Sequence, residues 1–170
     1  MRSSMAGGRF RIPYEMGSIL NGMSEDLRRE TGAFVQWWVY DSANSVVDPV
    51  YDVGDYAGGR RWKEPSLTIP CVAVAVIAGQ TLFNTRGYYQ TGSIEITLDV
   101  KNVDFLLPDL YKLPDQHMLD RVVYQSTVFT PTQIKPMGHV ADGYAVVSVG
   151  MTEVNPEELV NDPQFQDYAS

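Results

Sequence analysis

The sequence predicts a mainly β protein: a small antiparallel β-barrel or sandwich, entered by one N-terminal amphipathic helix and interrupted by long loops. Three observations carry this expectation. The apolar period changes from 3.6 to 2 after Gly32. Six or seven strand-length runs then follow in hairpin succession. Two pairs, Gln125-Ser126 and Asp142-Gly143, stand between the later runs where tight turns belong, and Asp-Gly is a favoured turn pair. At 170 residues the chain has the length of one domain, and 44% apolar content supplies a single substantial core.

The elements follow in order. Residues 1–12 hold Arg2, Arg9 and Arg11 with no acid, which reads as a mobile basic arm. Over residues 13–31, Met16, Ile19, Leu20, Met23 and Leu27 recur at helical spacing, with Pro13 near the start and Gly32 just past the end. Gly17 and Gly22 weaken that helix by up to about 1 kcal/mol each, so it needs packing partners. Glu25 precedes Arg28 and Arg29 in the supportive order for side-chain pairs. The barrel domain then covers residues 32–154. Its runs are Ala33 to Tyr40, Leu67 to Ile77, Ser93 to Val100, Arg121 to Tyr124, Thr127 to Thr130, Thr132 to Val140 and Tyr144 to Val154. The third is the clearest: Ile94, Ile96, Leu98 and Val100 alternate with Glu95, Thr97 and Asp99, as a half-buried strand requires. The stretch from Val72 to Ile77 is apolar at every position and reads as a central strand buried on both faces. Long loops are expected at 41–65, 81–92 and 101–118, and loops of this length are usually functional or ordered by a partner. Residues 155–170 read as an acidic tail, unable to bury enough apolar surface to fold alone.

Charge and composition exclude more than they identify. There are 13 Lys and Arg against 21 Asp and Glu, a net charge of −8. Beyond Lys135 no Lys or Arg occurs, while Asp142, Glu153, Glu157, Glu158, Asp162 and Asp167 do. A protein that grips nucleic acid through its phosphates carries the opposite sign. One cysteine, Cys71, excludes an internal disulfide framework, and two histidines leave little room for metal or acid–base chemistry. The longest apolar run, Cys71 to Ala78, is eight residues, far below the roughly 20 of a membrane helix. The sequence reads as a soluble protein of a reducing cytoplasm, with no membrane partner.

The candidate sites are correspondingly modest. Asp41, Asp48, Asp52 and Asp55 share one loop, but their spacing matches no calcium-loop pattern and reads as a solvated polar segment. His139 beside Asp142 lacks a nucleophile and reads as a surface histidine. Cys71 lies in the most apolar run and reads as a small buried residue. No phosphate-cradling loop, paired catalytic carboxylates or metal-ligand cluster stands out, so no catalytic residue, metal or cofactor is assigned. The concentrated basic patch Arg60-Arg61-Trp62-Lys63 has three readings: a nucleic-acid contact, a dock for an acidic neighbour such as the tail of a second copy, or a tryptophan capping the barrel with solvated arginines. Phe105, Leu107, Leu110 and Tyr111, with Leu106, either cover a barrel end or form a protein contact. Phe83, Arg86, Tyr88 and Tyr89 in the 81–92 loop are candidates for a loop that reaches a symmetry axis, with Gly87 and Gly92 as hinges.

Asp48-Pro-Val-Tyr-Asp52 followed by Gly59-Arg-Arg-Trp-Lys-Glu-Pro65 and a long strand resembles head-to-tail connector proteins of long-tailed bacteriophages, particularly those infecting actinobacteria. Leu119-Asp-Arg-Val-Val-Tyr124 and Val149-Gly-Met-Thr-Glu-Val154-Asn-Pro-Glu-Glu158 fit the same pattern. The resemblance spans about residues 33–158 and rests on structural rather than catalytic signatures. Within that group the chain is most similar to stopper, or head-completion, proteins, because adaptors of the same neck are mostly helical. The resemblance implies a ring in the virion neck, hexameric rather than dodecameric, assembled in the host cytoplasm between the portal-bound adaptor and the tail terminator. Such a ring retains packaged double-stranded DNA and opens for ejection, and an acidic channel wall lets DNA slide without sticking. The alternatives are another neck or tail component, an adaptor or terminator, and from a different class a small-ligand-binding barrel or hydrolase.

Overall fold

The computed structural model describes residues 17–18, 22, 24–47, 59–84, 87–140, 143–160 and 162–168, with backbone alone for 78–84, 87–91 and 140. The N-terminal arm, most of the residues before Ser24, the Asp48 to Gly58 segment and the Asp142 turn position therefore lie outside the described residues. Helix α1 runs over Ser24–Thr31. Glu25 pairs with Arg29 at 2.9 Å and Arg28 at 3.7 Å along its surface. Gly32 ends it with φ +58 and donates its N–H to the Arg28 carbonyl, the left-handed cap that glycine adopts without a Cβ penalty. The Thr31 hydroxyl donates to the Val72 carbonyl at 2.7 Å, tying the helix to the sheet.

Six strands follow: β1 (Phe34–Trp38), β2 (Leu67–Asn84), β3 (Gly87–Asp99), β4 (Arg121–Tyr124), β5 (Thr127–Val140) and β6 (Gly143–Glu153). They close into a barrel in the order β1-β2-β3-β6-β5-β4, every neighbouring pair antiparallel. Alternation decides which side chains enter. Val35 and Trp37 of β1, Ile69 and Cys71 of β2, Ile94, Ile96 and Leu98 of β3, Val122 of β4 and Val147 and Val149 of β6 form the interior with Phe129, Ile134 and Met151. β4 and β5 meet through Gln125 and Ser126, both at positive φ (48 and 65), as a two-residue hairpin of right-handed twist requires.

Several expectations need correction. Residues 81–92 are not a loop: Gln80↔Thr91 through Asn84↔Gly87 continue the β2–β3 ladder as a two-stranded ribbon. Only residues 85–86 separate the two strands. β2 is also not buried on both faces along its apolar run. Its register with β1 ends at Pro70, and farther along the run Val76 and Ile77 are 74% and 49% exposed. Thr127 to Val140 is one strand instead of two, because Pro131, lacking an N–H, is accommodated at a register shift in the β5–β6 ladder, where Pro131 faces Met151 and Gln133 faces Gly150. Asp99 turns out of the alternation to become the N-cap of helix α2 (Val100–Leu106), accepting from the Lys101 N–H, and is 5% exposed.

Residues 101–118 are accordingly a helix, turns and a 3₁₀ turn (Pro114–His117), not an open loop. Val103, Leu107 and Leu110 plug the barrel and join its core. Leu107 and Leu110, offered by the sequence as interface residues, are thus core. Phe105 alone of that cluster stands free, 86% exposed, while Tyr111 is half-buried and donates its hydroxyl to Asp104.

The expected disordered tail is also corrected. Asn155 caps a short helix, α3 (Pro156–Leu159), with Pro156 at its first position and Glu157 and Glu158 in its first turn. A 3₁₀ turn over Gln166–Tyr168 follows. Leu159 and Phe165 are 3% and 0% exposed, enough apolar burial to hold the segment on the barrel.

Candidate functional site

The barrel has a second apolar layer outside its wall. Because Val122 faces inward, its strand neighbours Arg121 and Val123 face out. Trp38 of β1 and Val128 and Thr130 of β5 share that outer face. Over it lie Trp62, Leu159 and Phe165, forming with Val123, Val128 and Val154 a cluster separate from the barrel core. Trp62 arrives there because residues 39–41 pair with 61–63: Lys63 donates to the Val39 carbonyl, Asp41 to the Arg61 carbonyl, and Tyr40 bridges Trp62.

Phe165 fills a slot between two indoles, edge-on to Trp62 at 4.9 Å and to Trp38 at 5.4 Å between ring centroids. Gln164 reads the Trp62 backbone from both sides, accepting its N–H at 2.8 Å and donating to its carbonyl at 3.0 Å. Trp62 Nε1 donates to the Leu119 carbonyl.

Charge converges on Arg121, 2% exposed in an otherwise apolar strand. Its guanidinium donates to Thr130 Oγ1 and to Glu158 Oε1 (2.7 Å), lies 3.5 Å from Asp162, and stacks 5.2 Å from the Trp62 ring centroid. Arg60 reaches the same Glu158 oxygen at 2.6 Å. Burial pushes the Asp162 carboxyl up to about 6, against the opposing attraction of Arg121 and Arg60. The basic patch therefore meets acidic residues of its own chain. Trp62 is buried against the outer barrel wall, and Arg60 pairs with Glu158 of the chain's own C-terminal segment.

A second buried network sits beneath. Asp120, 0% exposed, accepts from Trp37 Nε1 and the Tyr40 N–H, each at 2.7 Å, with His117 Nδ1 also at 2.7 Å. His117 lines a surface groove of about 640 Å³ with Val39, Tyr40, Lys63, Leu106 and Asp115. This network fastens β1 to the segment entering β4.

The other candidates resolve individually. Cys71 is buried and its thiol is pushed up to about 12 by desolvation, which makes it inert packing. Asp41 accepts from Asn44 and Ala43 in a local turn, and the Asn44 hydrogen bond holds its carboxyl below the usual range. Asp48, Asp52, Asp55, Arg86 and Asp142 lie outside the described residues, and Phe83, Tyr88 and Tyr89 are described as backbone only. His139 is exposed with its ring edge-on to Tyr144. Among the described residues no group of three or more His, Cys, Asp or Glu could hold a metal ion. The residues that sequence reasoning missed are Asp120, Arg121, Glu158, Asp162 and Phe165. A cation heading an apolar strand was the one legible signal.

No protein-family model matches the chain, and no curated protein matches it. Among solved structures, the chain is similar to one from the "Virion of native gene transfer agent (GTA) particle", with a TM-score of 0.40 and 14% identity over 71% of this chain and 93% of that one.

Proposed function

We propose that this chain is a non-enzymatic structural subunit of a virus particle, a ring-forming component of the neck of a long-tailed phage in the stopper position. The observation that carries the reading is the closed six-stranded barrel itself. It is the architecture that the resemblance to stopper proteins implies and that a mostly helical adaptor would not have. The shape of the barrel adds support. The β2–β3 ribbon, residues 78–92, and the β5–β6 hairpin extend beyond the closed wall, which gives a ring subunit arms to reach its neighbours. Among the described residues the interior is filled by Trp37, Ile69, Leu98, Leu110 and Val147, all 0% exposed, so the ligand-carrying barrel gains no support. The partners of this reading are further copies of the chain, an adaptor on the portal side, a tail terminator, and double-stranded DNA that passes without tight binding.

The test is labelling of purified virions with an antibody to this chain, viewed by electron microscopy. Label at the head–tail junction, with rings from the isolated protein, is the expected result. Label along the tail, or no label, would overturn it.

A further inference from the structure

The segment covering the outer face of β1, β4 and β5 makes its backbone hydrogen bonds locally. Among the described residues, the backbone hydrogen bonds of residues 156–168 run only to other residues from 155 to 165: Glu158 and Leu159 to Asn155, Val160 to Pro156, Asp162 to Leu159, Phe165 to Asp162, Tyr168 to Phe165. None joins a barrel strand.

 The segment is held instead by side chains: Phe165 between the indoles, Gln164 on the Trp62 backbone, and Glu158 on Arg60 and Arg121. Its seat is also imperfectly satisfied. Among the described residues, Trp38 Nε1 and Arg121 Nε are buried at this contact without a hydrogen-bond partner, and Asp162 Oδ2 has only the 3.5 Å approach of Arg121. A buried polar atom left unpaired subtracts from the stability of the contact that buries it.

We propose that residues 156–168 are an exchangeable plug, and that the cradle of Trp38, Trp62, Arg60 and Arg121 is the docking site for the same segment of a second copy of this chain. The occupant follows from the chemistry of the cradle. Two guanidiniums flank an aromatic slot, and they fit a segment that carries a carboxylate several residues before an aromatic ring. Glu158 and Phe165 meet that requirement here in cis, with opposite charges on the two surfaces. Because the segment breaks no backbone ladder on leaving, transfer between copies exchanges like contacts for like contacts, the condition under which swapping is least costly. The proposal deepens the ring reading by naming a subunit contact, but the exchange it describes does not depend on a virion.

The experiment uses the full chain and a fluorescent peptide of residues 155–170, with binding read by anisotropy. The peptide should bind the chain saturably. It should bind at least tenfold more tightly to a Phe165→Ala chain, whose own plug is weakened, and a Glu158→Gln chain serves the same purpose should the first variant fold poorly. Peptides carrying either substitution should bind at least tenfold more weakly. Sedimentation of the unmodified chain should show concentration-dependent association that the weakened-plug variants lose. Equal binding of substituted and unsubstituted peptides, or none to a weakened-plug chain, would overturn the cradle as a docking site. Peptide binding by a chain that stays monomeric at every concentration would overturn the second copy as its occupant. Both readouts are independent of where antibody falls on a virion, so failure here leaves the neck assignment standing.

Discussion

Asp120 accepts from an indole N–H, a backbone N–H and the His117 ring edge while wholly excluded from solvent. Replacing it by alanine leaves those groups buried without an acceptor. At about 1–3 kcal/mol for each unpaired group, Asp120→Ala should lose about 3–5 kcal/mol and lower Tm by about 10 °C. Thermal and urea denaturation check this, and a loss under 1 kcal/mol would refute the role given to the carboxylate. Asp162 makes a different prediction, because its burial raises the carboxyl from 3.8 to about 6 while Arg121, Arg60 and Glu158 face it. A folded-state value above the unfolded one means that the folded chain holds the proton more tightly. The resulting stability is fully present below about pH 4 and is lost as pH rises through 6. Asp162→Asn mimics the protonated form, so its stability relative to the unmodified chain should improve by about 2–3 kcal/mol between pH 4 and pH 7. Denaturation of both proteins across that range is the measurement. A difference that does not change with pH would show that the Arg121 pairing cancels the burial cost.

At the scale of elements, the β4–β5 hairpin offers the cleanest substitution. Gln125 and Ser126 occupy the left-handed region at both positions, where side chains other than Asn, Asp and Gly are strained. The pair Gln125→Asn with Ser126→Gly should stabilise the chain by about 0.5–1 kcal/mol, read as a raised urea midpoint with an unchanged slope. Destabilisation would mean that the native side chains contribute more than the turn geometry takes away. This hairpin was legible in sequence because its signal is local: two apolar runs separated by two polar residues. The alternation of Ile94, Ile96 and Leu98 was legible for the same reason, since period and burial coincide along one strand. Two helices were missed although their signals were present. Asp99 followed by Val100 and Val103, and Asn155-Pro156-Glu157-Glu158, each carry an N-cap and helical spacing. The length of the first segment and the acidity of the second suggested loop and tail instead. The contact between Trp62 and Phe165 had no local signal at all. It joins positions about a hundred residues apart, and Arg121, which neutralises the tail's acids, lies in a strand between them.

At the scale of the whole molecule, the proposed stopper position would require the chain to place something across a passage wide enough for duplex DNA, and the strands of a closed barrel cannot leave their ladder. The β2–β3 ribbon is the element that escapes this constraint. Beyond the pairing of Ile77 with Ser93, residues 80–84 and 87–91 are register partners of each other, while β3 remains bonded to β6 from Ser93 to Asp99. Seven residues at about 3.3 Å each give the ribbon a reach of roughly 20 Å from the wall. Its backbone hydrogen bonds make it stiffer than the long loop at a hairpin tip that the sequence suggested, so it would move as a lever pivoting at the register shift between Ile77 and Gln80. Phe83 and Tyr88 are register partners near its end. The ladders that β1, β4, β5 and β6 make in the barrel wall do not run through residues 78–92. Joining Ile77 to Ser93 through Asn-Gly should therefore leave the melting curve and any ring of the isolated protein unchanged. Phage heads assembled with that variant should lose packaged DNA, measured as nuclease-sensitive genome after packaging ends. Heads that keep their DNA as well as those with the intact chain would show that the ribbon is not the gate.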